Sequence, residues 1–174
     1  MSSRSAPRWG PVPLTSAGAV AAALIGLVGF ASRFTHQPWL FASLGSTVLI
    51  QAVTPDDKTA RPWNAVVGHV VGFSIGIATG WIIGALAGAG YGDDAMSIWR
   101  IVIAMLAIAA TVVVQLTTDS YHPPGAGTCL LIAFGPSALS VSSIPGMLLA
   151  VLLVGVFGRR ITTLTRSRLR ATHE

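Results

Sequence analysis

Charged residues and prolines cut this chain into six apolar blocks, and the lengths of the blocks predict its elements. Leu14 to Ser32 is an uncharged run of nineteen residues, long enough to cross a bilayer as a helix. Trp39 to Thr54 is apolar but short, about 24 Å as a helix at ~1.5 Å per residue. Pro62 to Gly92 carries no formal charge and holds a full span, with Pro62 in the helix-initiating position. Ile98 to Thr118 is another full span, interrupted by Arg100 near its start. Gly125 to about Val141 is short and contains Pro136, and Pro145 to Gly158 is a last span of modest length before an Arg-rich tail.

The sharpest polar interruption is His122-Pro123-Pro124-Gly125. It lies in thirty-nine residues, Ser120 to Gly158, that contain no Asp, Glu, Lys or Arg. Two prolines in series fix φ, supply no N–H and push the preceding residue out of the helical region, so no helix runs through this point. Irregular backbone in lipid needs protein or a polar pathway to satisfy it. His36-Gln37-Pro38 occupies a similar place between two other apolar blocks.

The blocks fall into two related halves. Gly45 to Pro55 aligns without gaps to Ala126 to Pro136, with Thr47 matching Thr128, Leu49 Leu130, Ala52 Ala133 and Pro55 Pro136. Pro62 and Val71-Gly72 correspond to Pro145 and Val154-Gly155 at nearly the same offset, and His36-x-Pro38 corresponds loosely to His122-x-Pro124. Each half reads as long helix, break, short helix, Pro-initiated helix. If the short segments cross, there are six passes and the halves are inverted, as in many transporters. If they re-enter, there are four passes and parallel halves. Counting Lys and Arg with a cytoplasmic N-terminus gives nine inside against two outside for six passes, and eight against three for four. The positive-inside tendency accepts both, and six passes is the preferred reading. The expected organisation is one all-α transmembrane domain over 1–174, with a cytoplasmic tail 1–13, a first repeat 14–92, a second repeat 97–158 and a basic cytoplasmic tail 159–174.

Composition supports a membrane class. The chain is 52% hydrophobic, only 10% charged, and has a mean hydropathy of +0.70, whereas soluble domains carry about 25% charged residues. Arg4 and Arg8 before the first block resemble a signal peptide, but the block is long for a signal core and Ser32-Arg33-Phe34 is a poor cleavage site; a retained helix is expected. Five of the eleven basic residues, Arg159, Arg160, Arg166, Arg168 and Arg170, sit in the tail. They read as a topology signal touching anionic lipid. With no interleaved aromatics or reading element, they do not indicate nucleic-acid binding. The single cysteine, Cys129, excludes an intrachain disulfide and reads as a small buried side chain. No zinc spacing, phosphate loop or hydrolase elbow occurs, so neither metal, cofactor nor enzymatic role is expected.

His122 is the first candidate for chemistry, since an intramembrane histidine faces the bundle interior or a hydrated cavity and titrates near physiological pH; capping a carbonyl freed by the prolines is a compatible structural role. Gly125, Gly127 and Thr128 open the following short helix, whose N-terminus offers N–H groups to a small anion. Gly45, Ser46 and Thr47 supply the matching start in the first half, so that an anion is expected near mid-membrane between the two short-helix N-termini, although small residues of this kind also serve close helix packing. Asn64 is expected near an interface and His69 deeper in the span. Gln51 and Gln115 are polar side chains near segment ends, Gln115 reading as helix–helix glue. Asp119, three residues before His122, either orients that imidazole or is an interfacial acid. Gly68, Gly72, Gly76, Gly80, Gly84 and Gly88 recur at every fourth position, a flat stripe that needs a partner backbone in this chain or in another subunit.

Tyr121-His122-Pro123-Pro124-Gly125-Ala126, together with Arg61-Pro62-Trp63-Asn64 and Gly68-His69, resembles the HPP family of integral membrane proteins, over about Pro38 to Phe157. The resemblance implies four membrane helices and small-anion transport, nitrite being the case associated with plastid and cyanobacterial members, with His122, Pro123, Pro124, Asn64 and His69 at matching positions. The expected function is therefore a transporter or channel for a small monovalent anion in a bacterial inner membrane, both termini cytoplasmic, proton-coupled through a histidine and homo-oligomeric. The alternative is a non-transporting membrane subunit that docks a partner through the glycine stripe.

Overall fold

The computed structural model describes residues 14–37, 39–88, 97–134 and 143–171, and among them every regular element is helical. The elements are α1 (Leu14–Thr35), α2 (Ala42–Val53), a single 3-10 turn (Lys58–Ala60), α3 (Pro62–Gly88), α4 (Ile98–Thr117), α5 (Pro123–Phe134), α6 (Ile144–Leu153), a π-helical turn (Val154–Gly158) and α7 (Arg159–Ala171). Four stretches have the length and hydropathy to cross a membrane: Ser16–Thr35, Pro62–Leu86, Ile98–Thr117 and Ile144–Thr165. The two short helices, α2 and α5, have 12 residues each, about 18 Å at ~1.5 Å per residue. The bundle is that of an integral membrane protein, and the apolar side chains left exposed on α4, such as Ile98, Met105, Leu106, Val113 and Leu116, face where lipid is the solvent.

Local chemistry sets the boundaries. Pro62 and Pro123 begin their helices, and Pro145 lies in the first turn of α6, where a missing N–H and a fixed φ cost nothing. Ser97 caps α4 by accepting the Arg100 N–H. Asp119 ends α4 in the left-handed region at φ 51°; Ser120 N–H donates to Gln115 O at 2.8 Å and Asp119 N–H to Leu116 O at 3.3 Å, the paired closure of a Schellman turn. The last helix departs from expectation. It continues past Gly158 through the π turn into α7, so the first arginines of the tail, Arg159 and Arg160, extend a helix.

Pairwise contacts fix the directions. A Cβ added at Gly68, Gly72 and Gly76 would meet His122, Gly125 and Cys129 in turn, so α5 runs alongside α3 in the same sense. Trp63 Nε1 reaches Thr118 O while Gln115 Nε2 reaches Gly68 O, so α4 runs opposite to α3. Thr47 meets His69 while Gln51 meets Gly155 and Gly158, next to Pro62 and Leu24; with Gly29 against Leu40, α2 is antiparallel to both α1 and α3. Consequently α1 and α3 point the same way, and α2 has carried the chain back between them. A re-entrant α2 would leave α3 opposed to α1, which is not the arrangement found. A core of Val20, Leu24, Val28, Leu44, Val48, Phe73, Met147, Ala150, Val151 and Val154 fills the space among α1, α2, α3 and α6.

The glycine stripe of α3 has two parts. At Gly72 a Cβ would overlap the Gly125 carbonyl oxygen, and at Gly76 it would lie 2.7 Å from the Cys129 carbonyl oxygen; this half is closed by α5. At Gly80 the nearest atom is 3.8 Å away and at Gly84 nothing lies within 4 Å. Gly88 is the last residue of α3, and its packing falls outside the described residues, as do Arg4, Arg8, Pro38, Pro136 and the side chains of Arg166, Arg168 and Arg170.

Candidate functional site

The polar interior is assembled from both short helices and α3. Ser43, Thr47 and Gln51 stand at four-residue intervals on α2, one above the other on its inward face. All three are buried. Thr47, His69, His122 and Thr128 are each 0% exposed. Thr47 Oγ1 lies 2.7 Å from His69 Nε2 and 3.0 Å from His122 Nε2. Thr128 Oγ1 lies 2.7 Å from His69 Nδ1 and 2.6 Å from Ser43 Oγ. The two threonines matched in the sequence alignment of the halves thus hold the two nitrogens of one ring. The imidazoles of His69 and His122 stand edge to face with centroids 5.1 Å apart, and Phe41 closes the other side of His69 at 5.8 Å.

His122 is held by groups from three elements. Its backbone N–H donates to Gln115 Oε1 at 3.0 Å, while Gln115 Nε2 donates to Gly68 O at 3.1 Å. Asn64 Nδ2 donates to Tyr121 O at 3.0 Å and Asp119 O at 3.4 Å, which ties the turn before His122 to the start of α3. A Cβ at Gly68 would come within 2.6 Å of His122 Cβ, so glycine is what admits the ring. His122 Nδ1 lies 2.8 Å from Thr59 O. That carbonyl is presented by the 3-10 turn, whose cap is Asp57: its carboxylate accepts the Thr59 N–H at 2.8 Å and the Thr59 hydroxyl at 2.7 Å. The Thr59 backbone N–H, and then its hydroxyl, hold the Asp57 carboxyl below its ordinary pKa.

Several expectations change. Asp119 does not orient the imidazole: its carboxylate is exposed and pairs with Lys58, because the left-handed turn points it outward, and the Thr59 carbonyl takes the place beside His122. His36 is exposed in a left-handed turn, φ 53°, at the end of α1. Its positional counterpart is Asp119, which ends α4 in the same conformation, and not the buried His122. The two short-helix N-termini do not face each other. α2 and α5 lie side by side and antiparallel, so Ser43 at the start of α2 meets Thr128 in the second turn of α5. The start of α5 is also poor in donors, since Pro123 and Pro124 have no N–H and Gly125 N–H donates to His122 O at 2.9 Å. Gly125 itself is pressed against the Gly68 carbonyl. Asn64, in the first turn of α3, is 1% exposed.

Ser46 and Gly127 stay outside the buried cluster. With Ser43, Leu49, Pro123 and Pro124 they line an open groove of about 440 Å³ between α2 and α5. Ser43 belongs to both, and among the described residues its hydroxyl links groove to cluster. Ser43 and Thr59 are absent from the candidates drawn from sequence. The i, i+4, i+8 spacing of Ser43, Thr47 and Gln51 is the signal that identifies the first; a backbone carbonyl such as that of Thr59 leaves none. Gln51 Nε2 donates to Gly155 O at 3.3 Å in the π turn, and its Oε1 is buried without a hydrogen-bond partner against Gly158.

The family model described as HPP, transmembrane region, matches residues 6–169. No curated protein and no solved structure shows a match.

Proposed function

The chain belongs to the HPP transmembrane family, and on that premise we propose that it is a transporter or channel for a small monovalent anion, with nitrite the leading substrate. The observation that carries the reading is the buried set of two imidazoles and three hydroxyls opening through Ser43 onto the groove between the short helices. Polar side chains inside a membrane bundle are costly and mark pathways. The groove offers the Ser43 and Ser46 hydroxyls to an anion, and no Lys or Arg lines it, which suits fast passage of a weakly held ion. His122 supplies the proton coupling. The membrane is a bacterial inner membrane, with Arg159 and Arg160 on the cytoplasmic side. Homo-oligomerisation belongs to the same proposal. The glycine stripe that a docking subunit would present is occupied by α5 at Gly68, Gly72 and Gly76, which favours transport over the docking alternative.

Purified protein in proteoliposomes, tested with nitrite, nitrate, formate, chloride and bicarbonate, is expected to carry at least one of them. His122→Ala is expected to abolish that flux while the helical circular dichroism and elution volume stay unchanged. Undiminished flux in the variant overturns the role of His122.

A further inference from the structure

We infer that His69 and His122 form one proton-binding site, holding a single proton that passes between the rings through the Thr47 hydroxyl and is loaded from the groove through Ser43 and Thr128. This deepens the transport reading and rests on it for what the proton is coupled to; the hydrogen-bond pattern stands by itself.

The pattern constrains where protons sit. A carbonyl only accepts, so His122 Nδ1 carries a hydrogen toward Thr59 O, 2.8 Å away. In the neutral ring, His122 Nε2 is then an acceptor, and Thr47 donates to it across 3.0 Å. His69 Nε2 in turn donates to Thr47 Oγ1, and Thr128 donates to His69 Nδ1. The neutral cluster is therefore fully satisfied in one polarity.

It is equally satisfied with one extra proton, because each threonine hydroxyl has a second acceptor one turn back on its own helix. Thr47 reaches Ser43 O and Thr128 reaches Pro124 O, both at 3.2 Å. When His122 is doubly protonated, its Nε2–H donates to Thr47 Oγ1 and the Thr47 hydrogen turns to Ser43 O. When His69 is doubly protonated, Thr128 turns to Pro124 O and accepts from Nδ1. A buried charge without such partners would carry a large penalty; here neither ring leaves an N–H unpaired.

Transfer between the rings balances at Thr47. A proton delivered through Ser43 and Thr128 lands on the bare His69 Nδ1. The His69 Nε2–H bond then breaks as an O–H bond forms on Thr47 Oγ1, and the original Thr47 hydrogen moves to the bare His122 Nε2, which leaves His69 neutral with its Nδ1–H toward Thr128. Only one proton fits, since the rings are 5.1 Å apart and a second like charge there is strongly disfavoured. Loading comes from the groove side. Ser43 Oγ, 2.6 Å from Thr128 Oγ1, can pass a proton inward, while the Thr59 carbonyl at the other end cannot take one up. Among the described residues, the hydrogen-bond partners of the two rings are Thr47, Thr128 and the Thr59 carbonyl, and none is charged. Lys58 and Asp119 pair with each other in solvent, Asp57 is engaged by Thr59, Arg159 donates to Pro55 O, and the Cys129 thiol bonds Thr111.

The test uses full-length protein in lipid nanodiscs with ¹⁵N-labelled histidine, in a His36→Gln/His173→Gln background and with no anion present. Titration from about pH 8 to about pH 4 is expected to show one proton taken up by the two rings together, with His122 Nδ1 protonated throughout. Thr47→Val is expected to keep the one-proton limit, which the ring separation sets, but to stop exchange of that proton between the rings and to slow proton uptake by reconstituted vesicles by about a hundredfold or more, and Thr47→Ser to restore both exchange and uptake. Two protons bound independently by the parent protein, a bare His122 Nδ1, or Thr47→Ser behaving like the valine variant overturns the proposal. Loss of all anion flux with the one-proton titration intact would overturn the transport reading alone.

Discussion

At the scale of single residues, the site is built by groups that hold His122 as much as by His122 itself. Asn64, Gln115 and the Thr59 carbonyl come from three elements, and each satisfies a donor or acceptor that a buried turn would otherwise leave open. The Thr59 carbonyl depends on a turn capped by Asp57. Because the Asp57 carboxyl is held below its ordinary value by the Thr59 N–H, its contribution is complete above the unfolded-state pKa of about 3.9 and is lost as pH falls through the lower folded value. Amide exchange at Thr59 is accordingly expected to be slow and flat from neutral pH down to that region, then to lose protection, and Asp57→Ala to remove the protection at every pH. Equal exchange in parent and variant would show that Asp57 does not hold the turn.

At the scale of elements, one stripe of glycines does two different jobs. Gly72→Ala drives a methyl group into the Gly125 carbonyl, a backbone atom with no room to retreat, whereas Gly84→Ala meets nothing within 4 Å. The first is expected to destabilise by about 1–3 kcal/mol or more and the second to stay within about 0.5 kcal/mol; thermal unfolding in one detergent, read side by side, distinguishes them. The sequence showed the stripe as a whole, since a four-residue period in glycine is visible in one dimension. It could not show where the facing helix starts and stops. The same holds for His36 and His122, whose shared His-x-Pro spelling conceals a turn residue in solvent and a buried ring.

At the scale of the whole molecule, successive helices reverse direction from α1 to α6, so the end of α1 and the start of α4 lie on one side, and the 3-10 turn and α7 on the other. Single cysteines introduced at Lys58 and Arg160 in a Cys129→Ser background are expected to react with a membrane-impermeant maleimide from one side, and those at His36 and Ser97 from the other. Labelling of His36 and Lys58 from the same side would restore the four-pass arrangement. Positive charge in the sequence allowed both topologies, because moving the short Lys58–Arg61 segment across the membrane changes the balance by few charges.

What the sequence determined by itself was the membrane class, the first three long helices, the two short ones and the His-Pro-Pro signature with its family. These follow from the length of apolar runs and from proline's effect on its own backbone, both local properties. The last helix, read as modest, runs on through the π turn into α7. Tertiary structure decided which polar groups meet. Thr47, His69, His122, Thr128, Ser43 and the Thr59 carbonyl are spread over 86 positions, Ser43 to Thr128, and are joined only because α2 and α5 lie antiparallel against α3. Hydrogen bonds act over about 3 Å, so their pairing is a property of packing and not of the order of residues along the chain.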